Sequence, residues 1–137
     1  MIRILVADDH SIVRRGLVKI LSDDPELRVA AEAGSGPEVL DLVRRGEFDV
    51  VVLDISLPGM SGLDVLKQLV VEKPDLPVLM LSIHPEEQYA IRALKAGALG
   101  YLTKASAPEE LVTAIKTLAA GERYITSSLA RKLAAEI

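Results

Sequence analysis

Apolar residues gather in five short runs: Ile2–Ala7, Leu27–Ala33, Val50–Leu53, Val78–Leu81 and Leu99–Leu102. Three of them are continuous rather than alternating, and Val and Ile are common in them. Strands buried on both faces of a parallel sheet carry this pattern. Between the runs the spacing becomes helical. Val13, Leu17, Ile20 and Leu21 form one stripe, and Val39, Leu42 and Val43 a second behind Pro37, a residue suited to a first helical turn. Val65, Leu66, Leu69 and Val70 form a third, ended by Lys73-Pro74. Ala90, Ile91 and Leu94 run up to Gly97 as a C-terminal cap, and Leu111, Ile115 and Leu118 run up to Gly121. Pro108 and Glu109-Glu110 open this fifth helix, as its dipole prefers. Strands alternating with helices in this way predict an α/β domain, doubly wound, with five parallel strands and helices on both faces.

From about Arg123 the pattern changes. Thr126 or Ser127 could cap a short helix carrying Leu129, Leu133 and Ile137 on one stripe. The 137 residues make one domain of roughly the usual 150, large enough to fold without a metal or disulfide staple. Cys is absent, which excludes disulfides, thiol catalysis and Cys-based zinc sites. The net charge of −4 argues against the whole chain being a nucleic-acid or membrane-surface binder. With Phe, Trp and Tyr at 3%, base-stacking platforms are not expected. Arg3 is the one basic residue ahead of the uninterrupted apolar stretch Ile4–Ala7, and Asp8-Asp9 end it, so no signal peptide or membrane span is read there. The expectation is a soluble, cytoplasmic chain.

Chemistry gathers where the strands end. The first strand runs into Asp8-Asp9, the third into Asp54, the fourth into Ser82, and the fifth is followed by Lys104. In an open α/β sheet of order 2-1-3-4-5, ligands bind beyond the carboxyl ends of strands 1 and 3, at the topological switch point. Three carboxylates there repel one another. A hard divalent cation such as Mg²⁺ resolves the repulsion through oxygen ligands. With Lys104 as a further positive charge and Ser82 as a hydroxyl donor, the set suits phosphoryl transfer with Asp54 as nucleophile. Taken singly, each residue has an ordinary role: paired acids as helix caps, a strand-end Asp as a turn residue, Ser as a cap and Lys as a surface charge.

The segments ILVADDH (4–10), VVLDISLPGMSGLDVL (51–66), VLMLS (78–82), ALKAGALGYLTK (93–104) and APEELVTAI (107–115) resemble the receiver domain of bacterial two-component response regulators. The GALGYLTK wording and the tail YITSSLARKL most resemble the NarL/FixJ-like subfamily, whose output domain is a LuxR-type helix-turn-helix. The resemblance implies a flavodoxin-like fold, with residues 1–121 as the receiver domain. It implies that 122–137 are a linker or short helix toward a DNA-binding domain absent from this chain. By resemblance, Asp54 accepts a phosphoryl group from a sensor histidine kinase. Asp8, Asp9, Asp54 and the Ser56 backbone carbonyl hold Mg²⁺, and Lys104 pairs with the phosphoryl oxygens. Ser82 moves toward the phosphoryl group, and Tyr101 turns inward behind it. The surface of the fourth helix, fifth strand and fifth helix then changes to promote a homodimer. Pro58 and Gly59 shape the loop after Asp54, and Gly62 helps start the third helix. The resemblance further implies that DNA is contacted only through that absent domain, and no membrane partner is expected.

Two positions depart from the family pattern. Lys104 is followed by Ala105 where most receivers have a proline in cis, and cis costs about 3–4 kcal/mol without proline. Ile83 is bulky where a small residue is common, and could narrow access to Asp54. His84 stands at a position that tunes dephosphorylation in the family, though a loop histidine before Pro85 is its simpler role. His10 is a first-turn polar residue. A phosphatase of the haloacid dehalogenase type needs Asp-x-Asp, and His10 occupies the second position. A flavin module needs a Ser/Thr/Gly-rich phosphate loop, which His10-Ser11-Ile12-Val13 is not, and no Walker sequence is present. A receiver that works without phosphorylation is disfavoured by the intact acids, Ser82 and Lys104.

Overall fold

The computed structural model describes residues 1–83 and 87–135. The strands are β1 (Ile2–Ala7), β2 (Leu27–Ala33), β3 (Val50–Asp54), β4 (Val78–Ser82) and β5 (Gly100–Thr103). They form one sheet in the order β2-β1-β3-β4-β5, every neighbouring pair parallel. The helices are α1 (Ser11–Ser22), α2 (Gly36–Arg45), α3 (Gly62–Glu72), α4 (Glu87–Lys95), α5 (Ala107–Ala119) and α6 (Ser127–Ala135).

Alternation along the inner strands divides the core in two. Ile4, Val6, Val50, Val52, Leu79 and Leu81 point to one face, where Leu17 and Leu21 of α1 and Leu111, Ile115 and Leu118 of α5 meet them. Leu5, Ala7, Val51, Leu53, Val78 and Met80 point to the other, against α2, α3 and α4. Side chains two apart share a face, so a strand covered on both sides has no polar position left. β3 is buried along its whole length.

Local chemistry starts and stops the helices. Ser35 and Ser61 cap α2 and α3 by accepting from Glu38 and Asp64 backbone N–H groups. Asp8 and Asp9 do not cap α1: the cap position is His10, and its side chain makes no capping bond. The acids are thereby left for other work.

Element ends differ from the hydrophobic runs for a common reason. Backbone pairing, not side-chain polarity, sets where a strand stops. Asp54 pairs in register with Leu81 and Ser82 with Thr103, so both polar residues lie within strands. β5 begins at Gly100 because Leu99 instead donates to the Val78 carbonyl ahead of the ladder. Val70 falls outside the buried stripe of α3 and is exposed, since Val65, Leu66 and Leu69 already fill the face toward the sheet. No helix among the described residues is long and apolar enough to cross a membrane.

The tail doubles back. Thr126 caps α6 by accepting from the Leu129 N–H, and α6 packs against α4. Leu129 is only 5% exposed, and Leu133 is partly buried beside the same apolar cluster. Ile137, expected on the stripe, lies outside the described residues.

Candidate functional site

The carboxyl ends of β1 and β3 bring the acids together. Asp8 follows β1 directly, is fully buried, and is tied by its N–H to the Ala33 carbonyl at the end of β2. One of its carboxylate oxygens accepts the His10 N–H at 2.9 Å. Asp9 is exposed beside it, with the His10 ring 3.1 Å from its carboxylate. Asp54 closes β3 and is buried. Its Oδ1 accepts the Ser56 N–H at 3.1 Å, and its Oδ2 accepts from Lys104 Nζ at 3.0 Å.

Lys104 links the two buried acids. Its ammonium lies 2.8 Å from Asp8 Oδ2 as well. That approach is off the line of a hydrogen bond, so Asp8 Oδ2 is buried in an ion pair with no well-aligned donor. The Lys104 N–H donates to the Ser82 carbonyl, which fastens the start of the β5–α5 loop to the end of β4. The Lys104–Ala105 peptide is trans, like all described bonds.

Burial decides the protonation chemistry. It pushes the Asp54 carboxyl up from its ordinary value. The Ser56 N–H and Lys104 oppose this, while the neighbouring Asp8 charge adds to it. Burial also pulls Lys104 down, but the close carboxylates of Asp8 and Asp54 outweigh it and leave the ammonium above its ordinary value.

The donor set fits a hard divalent cation. Asp8, Asp9, His10 and Asp54 can each bring one ligand atom within 4.8 Å of the others. Opposite ligands of Mg²⁺ lie about 4.2 Å apart when each bond is about 2.1 Å. Three of the four groups are carboxylates, the hard oxygen donors this ion prefers. Asp8 Oδ2 is buried and, beyond the Lys104 ion pair at 2.8 Å, has no hydrogen-bond partner among the described residues, which leaves it able to ligate a cation.

The close packing of the β3–α3 loop rests on Gly62. A Cβ at this residue would lie 2.1 Å from the Asp54 carbonyl oxygen and 2.7 Å from Ile55 Cα. Its N–H donates to the Ile55 carbonyl at 2.7 Å, which folds the loop carrying Ser56, Pro58 and Gly59 back toward Asp54.

Ser82 is buried at the end of β4, and Tyr101 is 8% exposed on β5. The expected inward turn of Tyr101 therefore has no exposed starting point here: the ring already lies in the cluster that includes Ala90, Ala93 and Leu129. Ile83 is largely exposed, so core packing does not hold it across Asp54. His84 lies outside the described residues.

One supporting residue was not anticipated. Arg14 donates from Nη1 to the Asp8 backbone carbonyl and from Nε to Glu32 Oε1. A helix turn brings residue 14 back over residue 10, a signal present in the spacing but indistinguishable from an exposed arginine. It braces the strand end that holds the acids.

Comparison with known proteins decides the family. The model of the response regulator receiver domain matches residues 4–116. The chain belongs to the response regulator receiver family. Response regulator UvrY of Escherichia coli strain K12 is 38% identical over 98% of this chain and 62% of its own length. Response regulator GacA of Pseudomonas aeruginosa is 40% identical over 98% of this chain and 63% of its own. The chain thus spans less than two-thirds of these curated relatives. A two-component response regulator of the LuxR family from Aurantimonas sp. superposes with a TM-score of 0.90 at 36% identity, covering 99% of this chain and 97% of that one. The receiver domain of a response regulator NarL from Mycobacterium tuberculosis gives a TM-score of 0.84 at 36% identity, over 88% and 98% of the two chains. A phosphorylation-dependent signalling switch is the function that goes with this family and with LuxR-type relatives.

Proposed function

We propose that this receiver works in the cytoplasm and takes a phosphoryl group on Asp54 from a sensor histidine kinase. The observation that supports it is the double hold on the Asp54 carboxylate, Ser56 N–H on one oxygen and Lys104 on the other, beside two further acids. An Asp54 oxygen attacks the phosphorus of a phosphohistidine. The O–P bond forms, the P–N bond breaks, and the electron pair returns to the imidazole, which takes up a proton. Hydrolysis of the acyl phosphate later returns inorganic phosphate and the carboxylate, so the chain catalyses only its own modification and its reversal.

Asp8, Asp9, Asp54 and the Ser56 carbonyl would hold Mg²⁺, which when bound supplies positive charge to the phosphoryl oxygens. Lys104 exchanges its contact with Asp54 Oδ2 for a phosphoryl oxygen, keeping its charge where negative charge accumulates. The Ser82 hydroxyl gives a charge-assisted bond to another. One or two such bonds offer about 2–4 kcal/mol, enough for partial switching but short of the about 5.5 kcal/mol that a full reversal needs. Because Tyr101 is already buried, the relay works by repacking it against β4 and α4. The readout is the α4–β5–α5 face, which controls pairing of two copies and, beyond residues 122–137, a DNA-binding output domain.

The test is mass spectrometry after acetyl phosphate and Mg²⁺ treatment. One added phosphoryl group, labile to hydroxylamine and absent from Asp54→Ala, is expected. Labelling that persists in Asp54→Ala would refute the assignment.

A further inference from the structure

The chain after α5 does not leave the domain. Glu122 N–H donates to the Thr117 carbonyl and Gly121 N–H to the Leu118 carbonyl, closing α5 in a Schellman turn. Gly121 has φ +84°, a conformation that residues bearing a side chain rarely adopt. The turn sends the tail back along β5, the outer strand of the sheet. Tyr124 N–H donates to the Leu99 carbonyl at 3.1 Å, and Tyr101 N–H donates to the Tyr124 carbonyl at 3.3 Å. The Tyr124 hydroxyl donates to Glu110 Oε1 on α5 at 2.7 Å. Leu129 is then buried in the cluster that includes Ala90, Ala93 and Leu94 of α4. One strap thus touches α5, covers the edge of β5 and packs on α4.

We infer that residues 122–135 are an intramolecular competitor for the α4–β5–α5 face, and that a second copy of this chain pairs there only when the strap lifts. Two features of the face suit a second copy. An uncovered edge strand is a template for pairing with another chain. α4 also carries Arg92 and Lys95 in its last turn, while α5 carries Glu109 and Glu110 in its first. Two copies related by a two-fold axis present the basic side of one to the acidic side of the other. The strap holds the sheet through a single-residue bridge and α5 through the Tyr124 hydroxyl, while Leu129 is buried on α4 with Ile125 and Leu133 partly buried beside it. Tyr101 is the link to the phosphoryl site, because its N–H bonds the strap and its ring shares a cluster with Leu129. The inference rests on the reading of this face as the phosphorylation readout.

The experiment uses the whole chain, with Leu129→Asp, Gly121→Val and Tyr124→Phe as strap variants that leave the phosphoryl site untouched. Amide hydrogen exchange at Tyr101 and Tyr124 reports docking, sedimentation reports pairing, and acetyl phosphate labelling of Asp54 reports the site. Leu129→Asp and Gly121→Val should speed exchange at both amides and tighten self-association about tenfold, the scale of ordinary coupling between sites, with labelling unchanged. Tyr124→Phe, which removes only the hydroxyl, should shift both in the same direction by less. Beryllofluoride with Mg²⁺ should release the two amides in the wild-type chain as it dimerises. Amides that stay protected in a beryllofluoride-induced dimer would overturn the competition while leaving the dimer reading intact. Strap variants that free the amides without strengthening self-association would overturn it as well. Loss of Asp54 labelling in the wild-type chain would instead strike the function proposed above.

Discussion

Two lysines in this protein each bridge a pair of acids at nearly the same distances. Lys104 Nζ lies 2.8 Å from Asp8 and 3.0 Å from Asp54. Lys116 Nζ lies 2.9 Å from Asp24 and 3.3 Å from Glu26. Contact geometry does not separate them, but burial does. The Lys104 side chain is 13% exposed between two buried acids, whereas Lys116 is 38% exposed. Asp24 follows its partner: the Lys116 hydrogen bond pulls its carboxyl below the ordinary value. Asp54 goes the other way, because losing water costs its anion more than Lys104 returns. A lysine between two surface acids joins elements of the fold. The same triad out of water holds charge in a state that a metal ion and a phosphoryl group can exploit.

The comparison breaks most sharply when each lysine is removed. Lys104→Met leaves two carboxylates buried together and should cost about 3 kcal/mol at neutral pH, along with nearly all Asp54 labelling. Lys116→Met should leave the denaturation midpoint nearly unchanged, because exposed pairs are well solvated when broken. Denaturant titrations of the two variants side by side decide the point, and equal losses would dissolve the distinction.

Next in size is the response to Mg²⁺. At a concentration 100-fold above its dissociation constant, an ion that binds only the folded chain adds about 2.7 kcal/mol. Thermal melts should show this for the wild-type chain, with most of it gone in Asp9→Asn and none of it altered in Asp24→Asn.

Without metal, Asp54→Asn should raise the melting temperature at neutral pH, since it removes a buried anion that pays for lost water and repels Asp8. The sign of the pH dependence follows. The folded chain keeps the Asp54 proton to higher pH than the unfolded chain does, so this group's contribution falls as pH rises from 3.8 through the raised value. Asp24 contributes the reverse, stability present above 3.8 and lost as pH falls through the lowered value. Melting curves against pH should lose the first slope in Asp54→Asn and the second in Asp24→Asn.

The smallest expected effect is at Arg14. Arg14→Ala removes the brace on the Asp8 carbonyl without touching a carboxylate, so labelling by acetyl phosphate should slow by a few-fold while the acceptor remains Asp54. An unchanged rate would show that the strand end holds Asp8 unaided.

The strands were legible because burial on both faces permits only apolar residues between their ends, as Val50–Leu53 ahead of Asp54 in β3 show. The site was legible for a related reason. A carboxylate such as Asp54 or Asp8 at the end of such a run has no solvated side to turn to, so its presence signals chemistry. Arg14 was not legible, because an arginine on a half-exposed helix reads as solvated until its partner is known.

By itself, the sequence determined the alternation of strand and helix, the parallel sheet and the acids at the carboxyl ends of β1 and β3. Each of these follows from local periodicity and from what a two-sided strand must exclude. Tertiary structure alone decided which lysine is deprived of water, that Tyr101 is already buried, and where the tail stripe lands. Leu129, Leu133 and Ile137 state only that one side of a segment is apolar. Whether that side meets its own α4 or another molecule depends on the turn at Gly121, the open edge of β5 and the space beside Leu94, which exist only once the sheet has formed.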